Sequence, residues 1–463
     1  MLAAAGSAVG LGNLWKFPYI AWSNKGGGFV LVYLVCILIV GLPMMLAEIL
    51  IGRMAQTSSV PAFEKLGGRH WAKVGWLGVI TGMVILSFYA VIAGWSISSF
   101  TQCLNWSVMG YEAPGEHAFG AFLANGWLQV GLTLLFSAAT AVIVMGGISG
   151  GIEKATKILM PVLFVIMLFL VLTSISLDGS GKAMAFLFTP DFSHFEWQGV
   201  LEALGHAFFT LSLGMGAMIT YGSYMSKKES IKNATIAIVI LDTVIALMAC
   251  IIMYSIIFSY PEIESQVGRS AVGMLFTTLP QLFYTKLAMG KVIGPVFYVL
   301  VGFAALTSTI SLLEVVVSLM VDKLNVPRLK ATLLSASGIF LVSVACALSL
   351  GANGFLTNFK PFGRAEAGFL HQLNDIFFAN KAGVLSILDH FSANWLLPLG
   401  GFFITLFVGW FIESKLVMNE LDMADTHGRP RTMYKLFQFI VRFVAPAVIA
   451  LIIIQVIRGA DFS

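Results

Sequence analysis

Charge is what this chain has least of. Only 11% of its 463 residues are Asp, Glu, Lys or Arg, while 58% are hydrophobic and the mean hydropathy is +0.90. A soluble domain of this length needs far more charge to cover its surface, so a water-soluble protein is excluded. The four cysteines, Cys36, Cys103, Cys250 and Cys346, form no CxxC pair and lie within or beside apolar stretches. That pattern suits buried packing rather than a metal site or a disulfide framework. The net charge of +4 is dispersed over many loops with no basic run, which removes nucleic acid as a partner. The histidines show no HExxH or comparable spacing, and nothing resembles a Ser/His/Asp or metal-hydrolase arrangement, so an enzyme is the least favoured class. No basic region precedes the first apolar stretch, and no cleavable signal peptide is expected. The chain opens as Met1-Leu2-Ala3-Ala4-Ala5, already apolar, which points to a start upstream of Met1 or to a very short first half-helix.

What is present in abundance is long apolar runs. Several approach or exceed ~20 residues, the length that spans a bilayer core as a helix. The short alternating segments of a membrane β-barrel are missing. The reading is an all-α integral membrane protein with eleven transmembrane segments, at 1–20, 29–51, 74–100, 127–144, 157–177, 201–224, 235–259, 292–321, 331–350, 384–412 and 436–457. Lys and Arg favour the loops that are cytoplasmic if the N-terminus is inside, and the loop 107–126 carries neither. An odd number of segments then places the C-terminal end outside.

Two segments are interrupted by residues that weaken a helix. Segment 1 contains Gly6-Ser7-Ala8-Val9-Gly10-Leu11-Gly12-Asn13-Leu14-Trp15-Lys16-Phe17-Pro18, and segment 6 contains Phe208-Phe209-Thr210-Leu211-Ser212-Leu213-Gly214-Met215-Gly216. Glycine lowers helix stability and permits unusual φ/ψ. A backbone unwound in lipid must find partners for its polar groups, and a cation and a polar ligand could supply them. Close packing of neighbouring helices is the simpler explanation of glycines. Two clusters that also carry hydroxyl or amide side chains, five segments apart, favour a site between inverted repeats. The repeats would be 1–177 and 198–413, with 434–458 an additional eleventh helix.

Together with Ala304-Ala305-Leu306-Thr307-Ser308, these two runs resemble the neurotransmitter:sodium symporter family, more closely its bacterial amino-acid branch, which includes the bacterial leucine transporter. The resemblance extends over essentially the whole chain, and Gly-Leu-Gly-Asn-Leu-Trp-Lys-Phe-Pro is a specific signature. It implies a LeuT-type 5+5 inverted repeat with discontinuous helices 1 and 6, and two sodium sites. The first would use Ala8, Asn13, Thr210 and Asp242, and the second Gly6, Val9, Ala304, Thr307 and Ser308. Sodium takes hard oxygen ligands of these kinds. Asp242 replaces an amide of the leucine transporter. A carboxylate there would balance the cation and make chloride unnecessary, although a protonated Asp bonded to a helix carbonyl is the other reading.

By the same resemblance, backbone N–H groups near Leu11 and Gly12 would receive a substrate carboxylate, aided by the Tyr89 hydroxyl. The substrate amine would meet carbonyls around Phe209 and Ser212. Monoamine carriers of the family hold an aspartate where this chain has Gly10, so its substrate should bring its own carboxylate. Ala8 and Thr210 border the same space. Ile85, Phe209, Met215, Ser308 and Leu312 would line a mostly apolar side-chain pocket, which implies a hydrophobic or aromatic amino acid. Lys16 and Asp389 would form the outer gate, with lysine a looser latch than arginine. Tyr224 and Asp322 match the inner gate, whose N-terminal partners this sequence does not contain. Gly151 and Pro161 resemble a family feature that lets segment 5 unwind. His206 is either a pH-sensitive group or a hydrogen-bonded helix residue. Glu48 and Glu314 are intramembrane acids without an assigned role.

The implied function is sodium-coupled amino-acid uptake by alternating access, in the plasma (inner) membrane of a prokaryote, with a sensor or receptor of little net transport as the alternative. A channel ranks below both, since no ring of charge or filter repeat is present.

Overall fold

The computed structural model describes residues 2–109, 118–193, 195–260, 273–285, 289–363, 367–423 and 431–461, and among them every regular element is helical. The principal helices are α1 Leu2–Ala8, α2 Phe17–Ser23, α3 Gly27–Ala55, α4 Ala72–Met109, α5 Gly126–Met145, α6 Ile148–Ile175, α7 Trp197–Thr210, α8 Ala217–Ser223, α9 Ile231–Ser259, α10 Gly290–Asp322, α11 Arg328–Leu348, α12 Val384–Phe411 and α13 Thr432–Ile457. Nine of them, all but α1, α2, α7 and α8, are long and apolar enough to cross a membrane.

Burial separates the centre of this bundle from its rim. In the most apolar window of α4, 78% of residues are buried, against 33% in α5, α6 and α13. Helices α4 and α10 pack along each other through the middle. The rim helices turn Leu134, Val142, Val165, Leu172 and Ile454 outward, where lipid tails solvate them as well as protein would. The four cysteines are buried and unpaired.

Two helices differ most from the segments read in the sequence. The fifth begins at Ile148 rather than 157, because Glu153, Lys154 and Lys157 resemble a loop in composition but continue the helix. Lys157 Nζ lies 2.7 Å from Glu153 Oε1 one turn away, a pairing that exposed helix surfaces favour. Gly151 therefore belongs to the first turn of this helix, and Pro161 lies inside it. Helix α4 runs on to Met109 rather than 100. The polar residues there bond back to their own helix, as Ser107 Oγ does to the Cys103 carbonyl at 2.8 Å.

Helices end within the two glycine-rich runs. Helix α1 stops at Ala8, Val9 and Gly10 bend, and a wide turn Gly12–Lys16 leads into α2. Helix α7 stops at Thr210, and residues 211–216 are irregular before α8. Ser212, Gly214 and Gly216 have φ of 53°, 79° and 76°, the left-handed region that glycine adopts at little cost and serine at some. Helix α1 packs on α6, α9 and α10, while α7 and α8 pack on α3. Both interruptions thus lie inside the bundle. Between α11 and α12, helix Phe369–Phe378 lies over α12 through the Phe377–Trp395 and Phe378–Phe391 ring contacts.

Candidate functional site

Where α1 stops, its backbone polar groups are met one by one. Val9 N still donates to Ala5 O at 2.9 Å. Gly10 N donates instead to Asn13 Oδ1, and Leu11 N to the Tyr89 hydroxyl, each at 2.9 Å. The Ser7 carbonyl accepts from Ser212 Oγ at 2.8 Å, and the Val9 carbonyl from Thr307 Oγ1 at 3.2 Å. On the other run, Gly214 N donates to Glu48 Oε1 at 2.6 Å. The two irregular stretches are therefore joined directly, through Ser7 and Ser212, and the second is held by a carboxylate from α3. Buried backbone groups that lose helix partners need such replacements.

Two oxygen-rich clusters flank this junction. In the first, Asn13 Nδ2 donates to Asp242 Oδ1 at 2.7 Å and to the Asp242 carbonyl at 3.1 Å, while Thr210 Oγ1 donates to Oδ1 at 2.9 Å. Asn13 and Asp242 are wholly buried. Among the described residues, Asp242 Oδ2, the Tyr33 hydroxyl and both His206 ring nitrogens have no hydrogen-bond partner, and His206 stacks on Phe17. A buried carboxylate oxygen without a partner is costly, and a small hard cation would relieve it. In the second cluster, Thr307 Oγ1 reaches the carbonyls of Ala304 at 3.0 Å and Val9. Gly6 lies against it, close enough that an added Cβ would be 3.3 Å from Thr307 Cβ.

Between the clusters is a small cavity lined by Ser7, Ala8, Gly10, Gly12, Ile85, Tyr89, Phe209, Thr210, Ser212, Met215, Ser308 and Leu312. Its free volume is about 20 Å³, room for one water. Every residue expected around a substrate lines it except Leu11, whose side chain is fully buried and whose amide is engaged by Tyr89. Ser308, expected in both the cation and substrate sets, presents its Oγ to Gly10: a Cβ added there would lie 2.3 Å from it and 3.0 Å from the Tyr89 hydroxyl. Ser7 also lines the cavity; the expected substrate and cation sets omit it, although its hydroxyl belongs to the polar content of the first interrupted run.

The expected gate residues are placed as follows. The buried Lys16 ammonium lies 5.1 Å from the centre of the Phe209 ring, over the cavity. Among the described residues no ion pair within 4.0 Å joins it to Asp389. The charged groups that act on it are Asp389, Asp461, Lys381 and Glu202. On the other side, Tyr224 OH donates to Glu314 Oε1 at 2.6 Å, and Glu314 also pairs with Arg328. Asp322 Oδ2 accepts from Ser58 N at 2.7 Å and Thr57 Oγ1 at 3.2 Å. Tyr224 and Asp322 thus serve two separate contacts. Glu48 and Glu314, without a role in the sequence, each hold a distant element. A larger cavity of about 330 Å³ reaches from Tyr224 and Glu229 to the first residues of α1.

The sequence profile described as the sodium:neurotransmitter symporter family matches residues 1–122 and 116–372. An uncharacterized sodium-dependent transporter of Bacillus subtilis (strain 168), YhdH, is 32% identical over 464 residues, covering 100% of this chain and 97% of that protein. A second, from Haemophilus influenzae, is 30% identical and covers 98% of this chain and 96% of its own length. Among solved structures, the crystal structure of MhsT in complex with L-phenylalanine matches with a TM-score of 0.83 at 37% identity, covering 98% of this chain and 97% of that one.

Proposed function

The chain belongs to the sodium:neurotransmitter symporter family and is a multi-pass, sodium-dependent transporter, and from that premise we propose that it takes up a hydrophobic or aromatic amino acid together with sodium by alternating access. The observation that carries this reading is the cavity at the junction of the two irregular stretches. It has no acidic side chain, and it is lined by Gly10 and Tyr89 together with the apolar Ile85, Phe209, Met215 and Leu312. Leu11 N donates to the Tyr89 oxygen, which leaves the hydroxyl proton to donate toward a carboxylate. The apolar residues would take the substrate side chain; the similar MhsT is known in complex with L-phenylalanine. Lying between α7 and α8, Met215 adapts readily to different shapes.

In this reading α1 with α2, and α7 with α8, are the halves of discontinuous first and sixth spans, which makes eleven spans in two inverted repeats, 1–177 and 198–413, plus 434–458. The N-terminus is cytoplasmic. One sodium is held by the Ala8 carbonyl, Asn13, Thr210 and Asp242, and a second by Gly6, Val9, Ala304, Thr307 and Ser308. The Asp242 charge makes chloride unnecessary. A substrate carboxylate beside the first sodium raises the affinity of each ligand for the other, reciprocally. An amino acid is far larger than the present free volume, so Phe209 and Met215 must part to admit it. Lys16 above Phe209, with Asp389, closes the outer path; Tyr224 and Asp322 belong to the inner closure.

The test is uptake into proteoliposomes with a panel of competing amino acids. Uptake driven by a sodium gradient, abolished when potassium replaces sodium and competed best by Phe, Leu or Trp, is the expected result. Equal uptake in potassium would reject coupling, and binding without flux would make the protein a receptor.

A further inference from the structure

The stretch after α13 folds back over the beginning of α12. One Asp461 carboxylate oxygen is 2.7 Å from Lys381 Nζ; the other is 2.9 Å from His390 Nδ1 and 3.1 Å from Asn394 Nδ2. His390 and Asn394 are almost completely buried, and the Asp461 side chain is 30% exposed. Three separate parts of the chain meet on this one carboxylate. Lys381 lies in the turn that follows helix Phe369–Phe378, His390 and Asn394 are on the first turns of α12, and Asp461 follows α13.

The beginning of α12 is bounded by two departures from regular helix geometry. Gly383 enters it at φ 93°. The helical ladder is then interrupted by a wide turn at Ser392–Leu396, a feature that relaxes local helix geometry. The short piece Val384–Phe391 between these joints carries Asp389. Leu385 N is held by Ser349 Oγ at 3.2 Å, and Asp461, bonded to the residue after Asp389 and to Asn394, holds the other end of the piece. The same carboxylate acts on Lys16 together with Asp389. Hydrogen bonds to a charged, half-buried group are stronger than neutral ones.

We propose that Asp461 is a positioning residue for the outer closure: it clamps the turn bearing Asp389, and the overlying helix Phe369–Phe378, to the end of α13. The proposal rests on Lys16 and Asp389 being the outer gate. With the clamp intact, helix, turn and α13 move as one body; without it the turn swings independently and the outer face opens more often.

Ser392 provides the reporter. It is wholly buried, and its Oγ donates to the Asp389 carbonyl at 2.9 Å, so Ser392→Cys is nearly isosteric and sits next to the moving turn. The four native cysteines are buried and set the background. The full chain carrying Ser392→Cys, in proteoliposomes, is treated with a membrane-impermeant thiol reagent from the outer side. Asp461→Asn, and independently Lys381→Gln on the partly exposed loop, should raise the labelling rate of the introduced thiol roughly tenfold, the scale of one lost hydrogen bond to a charged group. Asp461→Glu should keep it near the parent rate. Asp461→Asn should also accelerate release of bound amino acid to the outside. Unchanged labelling in both Asp461→Asn and Lys381→Gln overturns the clamp. Faster labelling in a protein without sodium-dependent uptake upholds the clamp and rejects the transport reading.

Discussion

At the scale of single residues, Gly10 decides most. Nothing larger than hydrogen fits there while Ser308 and Tyr89 keep their places, since an added Cβ would lie 2.3 Å from Ser308 Oγ. Gly10→Asp adds both that collision and a negative charge where the substrate carboxylate is proposed to sit. Like charges held close in a dry site cost several kcal/mol. We expect amino-acid affinity to fall by about a hundredfold, equivalent to ~2.7 kcal/mol, in radioligand binding. Gly10→Ala adds the collision without the charge and should lose less affinity than Gly10→Asp. Equal affinity in Gly10→Asp and the parent would place the substrate elsewhere.

At the scale of elements, the irregular stretch between α7 and α8 is kept in place by a group far away in sequence. Glu48 on α3 accepts Gly214 N at 2.6 Å, and no water-exposed surface is left on it. Glu48→Leu removes the acceptor and strands a buried amide, which costs ~1–3 kcal/mol, whereas Glu48→Gln keeps an oxygen that can accept. The expected order of melting midpoints in detergent is parent, then Gln, then Leu; a Leu variant as stable as the parent would mean that Gly214 finds another partner. This contact also marks what is legible in the sequence. Glycine spacing identifies both interruptions, and apolar runs locate the long helices, because those signals are local. The partners of Glu48 and Glu314, the Ser7–Ser212 junction and the Asp461 clamp join residues distant in the chain, and one sequence does not encode such pairings visibly. The start of α6 escapes a reading by composition for a local reason: Glu153, Lys154 and Lys157 look like solvated loop while forming an exposed helical turn.

At the scale of the whole molecule, the proposed cation clusters tie together parts of the bundle that are distant in the chain. Asn13, Thr210 and Asp242 come from the turn before α2, from α7 and from α9, and Val9 and Thr307 join the end of α1 to α10. A ligand that binds only when these pieces are assembled stabilises the assembly by RT ln(1 + [L]/Kd), or ~2.7 kcal/mol at a hundred times Kd. Exchanging sodium for potassium should therefore lower the thermal midpoint of the purified protein, with no substrate present. Asp242→Asn removes the carboxylate charge, and Thr307→Ala removes the hydroxyl that bridges α1 and α10. Each should shrink the sodium-dependent shift, and the double variant should nearly abolish it. Because the readout is a difference between two cations in the same variant, a general loss of stability cancels. A shift that survives in the double variant would place the cation away from both clusters, and the two irregular stretches would then need another explanation.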